Sequence, residues 1–427
     1  MEYFRYRDGV MYAEDVPLPD IVSAVGTPFY VYSTATLEKH FQLIDQALEG
    51  TDHLICYAMK AASNQAIVKT LATFGAGMDV VSGGEYKRAI CAGVPIEHIV
   101  FSGVGKTRAE MELIVKGGVR QVNLESEPEM LILDEVARAH RKRIPVTIRV
   151  NPDVDAKTHP KIATGKYENK FGIPINKASH AFDLARSLGG LEVVGIDVHI
   201  GSQVTALEPF TNAYRKVAKL TEALRAEGHD IRRLDLGGGL GIAYERNNET
   251  LPLPKAYGEV IKREVGHLNC EIEIEPGRLM VGNAGLLVSS VIYTKAGEGR
   301  NFLILDAAMN DLIRPAMYEA YHEIVSVYEP DTSAPRVIYD VVGPVCETGD
   351  TFGRDRVLSK LNDGDLVAFR SAGAYGAVMA SEYNSRPLIP EVLVKGDQFS
   401  VIRPRPTLEE MINRDIIPDW LHSDHSQ

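Results

Sequence analysis

Short apolar or β-branched runs alternate along most of this chain with longer stretches of helical period. The runs at 54–60, 77–82, 98–103, 121–125, 145–151, 193–201, 232–239 and 271–277 read as strands, because each is brief and closes on glycine or a polar residue. Segments 64–74, 84–92, 108–116, 127–140, 177–188, 211–227 and 253–266 carry apolar residues at helical spacing and read as the helices between them. A further helix is predicted at 35–48, ahead of the first strand, with Ser33 or Thr34 as its N-cap. Strand–helix units repeated eight times predict a closed (β/α)8 barrel, here over 26–280, with an extra loop inserted at 153–172. An open doubly wound sheet is the alternative.

Past residue 277 the texture changes. Stretches 286–294, 301–306, 336–342, 365–371 and 391–394 read as strands with few helical periods between them, so 281–427 is predicted to be an all-β domain. Segment 3–12, within an N-terminal piece spanning 1–25, also alternates like a strand and is predicted to join that β domain. The polar end at 422–427 predicts fraying.

Composition narrows the function classes. At 427 residues, two domains are expected, and 45% hydrophobic with 24% charged residues is ordinary for a globular enzyme. A formal net charge of -12 without a basic block argues against nucleic acid. No run approaches a membrane span and no signal core opens the chain. The four cysteines, Cys56, Cys91, Cys270 and Cys346, have neither disulfide nor zinc spacing, which predicts a cytoplasmic protein with no metal site.

Chemistry gathers where the predicted strands end, the reactive face of such barrels. Lys60, Asp79, Ser82, Glu125, Asn151, His199, Gly237-Gly238-Gly239 and Glu275 all lie there. A lysine closing a buried strand is expected to lose its proton through desolvation and become a nucleophile, although a lone lysine would more simply snorkel to water. The triple glycine offers successive backbone N–H groups to an anion, yet it is no dinucleotide fingerprint, since Ile242 stands where glycine is required. Glu275 in Glu275-Pro276-Gly277-Arg278 can keep a pyridine nitrogen protonated, and His199 can cover the face of such a ring. An amine, a single-phosphate loop, a carboxylate and an imidazole together point to pyridoxal 5'-phosphate.

These motifs resemble those of the barrel-type (fold type III) pyridoxal-phosphate decarboxylases, and among them the diaminopimelate decarboxylases, over nearly the whole chain. Tyr57-Ala58-Met59-Lys60-Ala61 is similar to the cofactor-lysine motif, although Ala62 replaces the usual asparagine and the nearest asparagine is Asn64. The resemblance implies an alanine racemase-like fold and a cofactor bound by Lys60, Asp79, His199, Ser202, Gly238, Gly239, Glu275, Pro276, Gly277, Arg278 and Tyr375. It implies an amino-acid substrate held by Arg278, Arg314, Tyr318, Glu347 and Tyr375, with Lys60 and Cys346 catalytic. In the family the Cys346-Glu347 loop comes from the partner subunit of a homodimer, and an aspartate after the cysteine marks relatives acting on ornithine. Glu347 with Arg314 therefore implies meso-2,6-diaminopimelate, decarboxylated to L-lysine as the last step of lysine biosynthesis. Decarboxylation of ornithine, arginine or carboxynorspermidine is the alternative. An alanine-racemase-like enzyme would not need the Cys346-Glu347 loop, and a non-enzymatic relative would be expected to lose Lys60, Cys346 or the glycines.

Overall fold

Parallel strands that are covered on both faces cannot show alternation, and the continuous apolar runs of this chain fold accordingly. The computed structural model describes residues 2–156, 170–245, 251–331 and 333–421, so the polar end at 422–427 and most of the loop inserted at 153–172 lie outside the described residues. Among the described residues, eight parallel strands close a barrel: β1 (His53–Ala58), β2 (Gly77–Val80), β3 (Ile99–Phe101), β4 (Gln121–Leu124), β5 (Ile144–Asn151), β6 (Leu191–Asp197), β7 (Arg233–Asp235) and β8 (Glu271–Ile274). Each pairs with its sequence neighbour, and β8 returns to β1 through Ile272 and His53, which excludes the open sheet.

Helix α1 (Thr34–Ala47) precedes the barrel, and α2 (Gln65–Thr73), α3 (Gly83–Cys91), α4 (Arg108–Gly117), α5 (Glu127–Ala139), α6 (Ala178–Ser187), α7 (Glu208–Ala226) and α8 (Pro254–Val265) alternate with its strands. Side-chain caps make several of the turns into helices abrupt. Ser33 caps α1, Asn64 caps α2, Ser82 caps α3 and Ser126 caps α5, each accepting an otherwise orphaned N–H. Asn64, the asparagine nearest Lys60, is thus a capping residue, and its amide also reaches Glu391 Oε1 at 2.9 Å.

The outward faces of the strands and the inward faces of the helices make the main apolar core. The barrel axis is different. Gln121, Asn123, Thr147, Asp235 and Glu273 are fully buried there. Thr147 Oγ1 donates to Asn123 Oδ1 (2.6 Å), and Asn123 Nδ2 donates to Asp235 Oδ2 (2.9 Å). Most buried polar groups in proteins are satisfied in this way, and the network ties neighbouring strands together inside the barrel.

The second domain is built on β9 (Gly285–Gly297), β10 (Arg300–Leu305), β11 (Ile324–Ser326), β12 (Arg336–Val342), β13 (Thr351–Ser359), β14 (Leu366–Phe369), β15 (Glu391–Lys395) and β16 (Gln398–Arg403). Its central strand β9 pairs with β10, with β14 and with Phe29–Ser33. The last pairing corrects the sequence reading. Phe29–Ser33 falls in the span read as barrel, yet it is a β-domain strand lying between β9 and β15. All five of its residues are buried, so no alternation announced a strand. The N-terminal hairpin of Phe4–Arg7 and Val10–Ala13 forms its own small sheet with Val16–Pro17. It docks on the β domain through Met11 N–H donating to Val327 O (2.8 Å) and a shared cluster that includes Phe4, Met11, Phe29 and Val288.

Candidate active site

At the C-terminal end of the barrel, where the β domain meets it, lies a cavity of about 580 Å³. Lys60, His199, Ser202, Glu275, Arg278, Arg314, Tyr318 and Tyr375 all line it. Sequence reasoning had named every one of them.

Lys60 sits in the one-turn helix Met59–Ala61 just past β1, not on the strand itself. Strand register brings Asp79 of β2 alongside, opposite Ala58, and Lys60 Nζ donates to Asp79 Oδ2 at 2.9 Å. Burial pulls the Lys60 pKa down, but the carboxylates of Asp79 and Glu275 outweigh it and hold the ammonium above its ordinary value. The expectation of a neutral amine is therefore corrected. Desolvation acts, and two carboxylates overrule it.

Glu275 follows β8 and is buried, with Oε1 at 3.3 Å from both Ser102 Oγ and Asn123 Nδ2. Burial, then the nearby charges of Asp235 and Asp79, raise its pKa well above the carboxylate range. His199 accepts the Gly238 N–H on Nδ1 at 3.0 Å, which puts the ring proton of a neutral imidazole on Nε2. Burial, aided by Arg149 and Lys60, keeps that imidazole neutral.

The triple-glycine turn is wedged between neighbouring strand ends. A Cβ on Gly238 would overlap the Glu275 carbonyl, and one on Gly239 (φ +105) would overlap that of Gly201. Only glycine fits there. Gly238 and Gly239 do not line the large cavity; with Pro276 they border a small void behind it. Gly277 packs against Ala58 and Ala61, beside the lysine turn.

Arg278 Nη2 donates to Ser202 Oγ at 3.1 Å, while its buried Nε has no partner among the described residues. Its guanidinium stands 4.9 Å from the centre of the Tyr375 ring. Tyr375 comes from the β domain and donates its N–H to Ala61 O (2.8 Å), coupling that domain to the Lys60 turn. Asp79 Oδ1 is likewise a buried acceptor without a partner. An amine, a buried carboxyl group, a neutral ring wall and an unsatisfied arginine donor fit pyridoxal phosphate.

Residues 34–282 match the family model "Pyridoxal-dependent decarboxylase, pyridoxal binding domain". The chain belongs to this decarboxylase family. It is 48% identical to the diaminopimelate decarboxylase of Vibrio cholerae, over 96% of this chain and 98% of that one. It is 47% identical to the diaminopimelate decarboxylase of Zymomonas mobilis, over 98% and 99%. The crystal structure of the Helicobacter pylori diaminopimelate decarboxylase complexed with L-lysine superposes with a TM-score of 0.89 at 41% identity, covering 93% of this chain and 98% of that one. A more distant structure, an SrLDC mutant in complex with PLP, gives 0.80 at 25% identity, covering 92% and 96%.

Of the residues that the decarboxylase resemblance implies to be catalytic or substrate-binding, two are not brought to the cavity. Cys346 and Glu347 are exposed on the loop between β12 and β13, where Glu347 Oε2 accepts from the Tyr383 hydroxyl (3.0 Å) and Cys346 N–H donates to Asn384 Oδ1 (3.3 Å). Conversely, the cavity holds residues the sequence reading passed over. Arg149, buried and bonded to Glu125 Oε1 at 2.8 Å, and Asp197 face it from β5 and β6, and Tyr244, Phe171 and Tyr321 complete its wall. A charge inside an otherwise apolar run was a usable signal for Arg149 and Asp197. The loop aromatics carried none.

Proposed function

We propose that this protein is a carboxy-lyase that decarboxylates meso-2,6-diaminopimelate to L-lysine and carbon dioxide, the closing step of lysine biosynthesis. The observation that carries the reading is the pair of arginines facing the cavity. Arg278 and Arg314 are both buried, and among the described residues neither forms an ion pair with a carboxylate. Burial, together with repulsion from Arg278, pulls the Arg314 pKa below its ordinary value. Such a site favours ligands with more than one anionic group: a phosphate for the cofactor and a distal carboxylate for the substrate. Diaminopimelate has that carboxylate and ornithine lacks it.

Bound pyridoxal phosphate supplies an electron sink for the charge left on the α-carbon when carbon dioxide departs. The chain's own residues do the rest. Lys60 holds the cofactor, and Glu275 keeps a proton at its ring nitrogen. His199 walls one face of the ring. Ser202 and Arg278 offer donors to the phosphate, while the N–H of Gly238 in the triple-glycine turn holds the His199 ring. Arg314, with Tyr318 and Tyr375, orients the distal end of the substrate. Cys346 of the partner subunit delivers the proton to the α-carbon, and Glu347 of the partner subunit receives the distal ammonium. A shared homodimeric site agrees with both residues being exposed and outside the lining of their own chain's cavity. Among the described residues no helix is long and apolar enough to cross a membrane. Four unpaired cysteines suit a cytoplasmic enzyme.

The test is a substrate panel. Protein loaded with pyridoxal phosphate is given diaminopimelate, ornithine, arginine and carboxynorspermidine in turn, and carbon dioxide release is followed. Release from diaminopimelate, with lysine as product, is expected. Release from ornithine with none from diaminopimelate would overturn the reading.

A further inference from the structure

Behind Arg314 stands a histidine that no motif singled out. His322 is fully buried (0% exposed) and both ring nitrogens are engaged. Nδ1 lies 2.9 Å from the carbonyl oxygen of Arg370, which can only accept, so Nδ1 carries the hydrogen. Nε2 is then a bare lone pair, and it lies 2.7 Å from Arg314 Nη1, which can only donate. Each contact requires the same neutral tautomer that the other does. The Tyr244 ring closes the group, edge-on to His322 at 5.2 Å and with its face 4.6 Å from the Arg314 guanidinium. The accepting carbonyl is itself fixed, because the Arg370 side chain pairs with Glu2 and with Glu323 (3.4 Å), and its N–H donates to Glu323 O (2.8 Å).

We propose that His322 is a positioning residue for the substrate clamp, orienting Arg314 through an uncharged acceptor so that its full positive charge and remaining N–H groups stay available to a distal carboxylate. The inference rests on the reading of Arg314 given under the proposed function. A carboxylate at position 322 would hold the guanidinium equally well but would neutralise it, leaving little attraction for a substrate anion. A protonated imidazole would set N–H against N–H. Burial, reinforced by the Arg314 charge, pushes the His322 pKa down to about 3, so the acceptor form persists at working pH.

His322→Phe keeps the ring volume and the packing on Tyr244 but removes both nitrogens. With pyridoxal phosphate bound, its affinity for L-lysine, which retains the distal carboxylate, is expected to fall about 10- to 100-fold, as for a buried charged donor left without its partner. Affinity for 1,5-diaminopentane, which lacks that carboxylate, is expected to match wild type. KM for diaminopimelate should rise far more than kcat falls, and the cofactor absorbance should be retained. His322→Gln, which can present an oxygen near the Nε2 position, should bind lysine more tightly than His322→Asn, which cannot reach it; this pair decides the matter even if the Phe variant does not fold. Equal weakening towards lysine and diaminopentane, no weakening at all, or Asn equalling Gln would overturn the assignment. A wild-type enzyme that bound lysine no better than diaminopentane would instead overturn the clamp role of Arg314, and the assignment of His322 with it.

Discussion

Replacing Asp79 by asparagine keeps the side-chain shape and removes the charge that Lys60 faces. The carboxylate is fully buried, its Oδ2 is 2.9 Å from Lys60 Nζ, and the lysine side chain is 38% exposed towards the cavity. Breaking a wholly buried ion pair costs about 3–5 kcal/mol. Partial exposure reduces that figure here, because solvent screens the lysine. A loss of about 1–2 kcal/mol is expected in the cofactor-free protein, read from urea unfolding. The Lys60 pKa is raised on folding, so this contribution is complete below the unfolded lysine value of about 10.4 and fades only as pH climbs towards the folded one. The deficit of the variant should therefore be constant from about pH 6 to about pH 9. The same change frees burial to act on the amine, so covalent capture of added pyridoxal phosphate should shift to lower pH. Unchanged stability together with superimposable capture profiles would refute the reasoning.

Other consequences are as specific. Gly238→Ala drives a methyl group into the Glu275 carbonyl, so a stability loss of about 1–3 kcal/mol and weaker cofactor retention are expected, measured by calorimetry and by dialysis against buffer; wild-type values would mean that the turn has room to move. Cys346→Ala and Lys60→Ala should each be inactive alone, yet mixing them should restore about a quarter of the activity by random pairing of subunits, with one intact site in each hybrid. No recovery would confine each site to one chain. Between about pH 6.5 and about 3 the unfolded chain protonates His322 while the folded one does not, so stability falls with falling pH by up to about 1.4 kcal/mol per unit from this group. His322→Phe should flatten that slope relative to wild type, and identical slopes would contradict a buried neutral imidazole.

The barrel was legible because doubly covered parallel strands leave continuous apolar runs, and because the chemistry sits where those runs stop. Lys60, His199 and Glu275 each close such a run and all three meet in one cavity. What was lost has physical causes. The charge on Lys60 depends on Asp79, a neighbour made by strand register and not by sequence proximity. β13 and β16 lie at opposite ends of the β-domain sheet, and exposed polar residues interrupt their apolar positions, which masks an edge strand. Phe29–Ser33 was misassigned because burial of every residue left no period to read. The contact of His322 with Arg314 spans a turn after the helix Arg314–Tyr318 and joins two residue types that seldom signal a pair. Cys346 and Glu347 could be named from their motif, whereas the fold of the single chain leaves both exposed and outside the cavity lining.

The account turns on one amine at the mouth of the barrel. Holoenzyme reduced with borohydride and digested should yield, by mass spectrometry, a single pyridoxyl-modified peptide with the label on Lys60, and Lys60→Ala should yield none. A label on another lysine, or full labelling that survives the substitution, would contradict it.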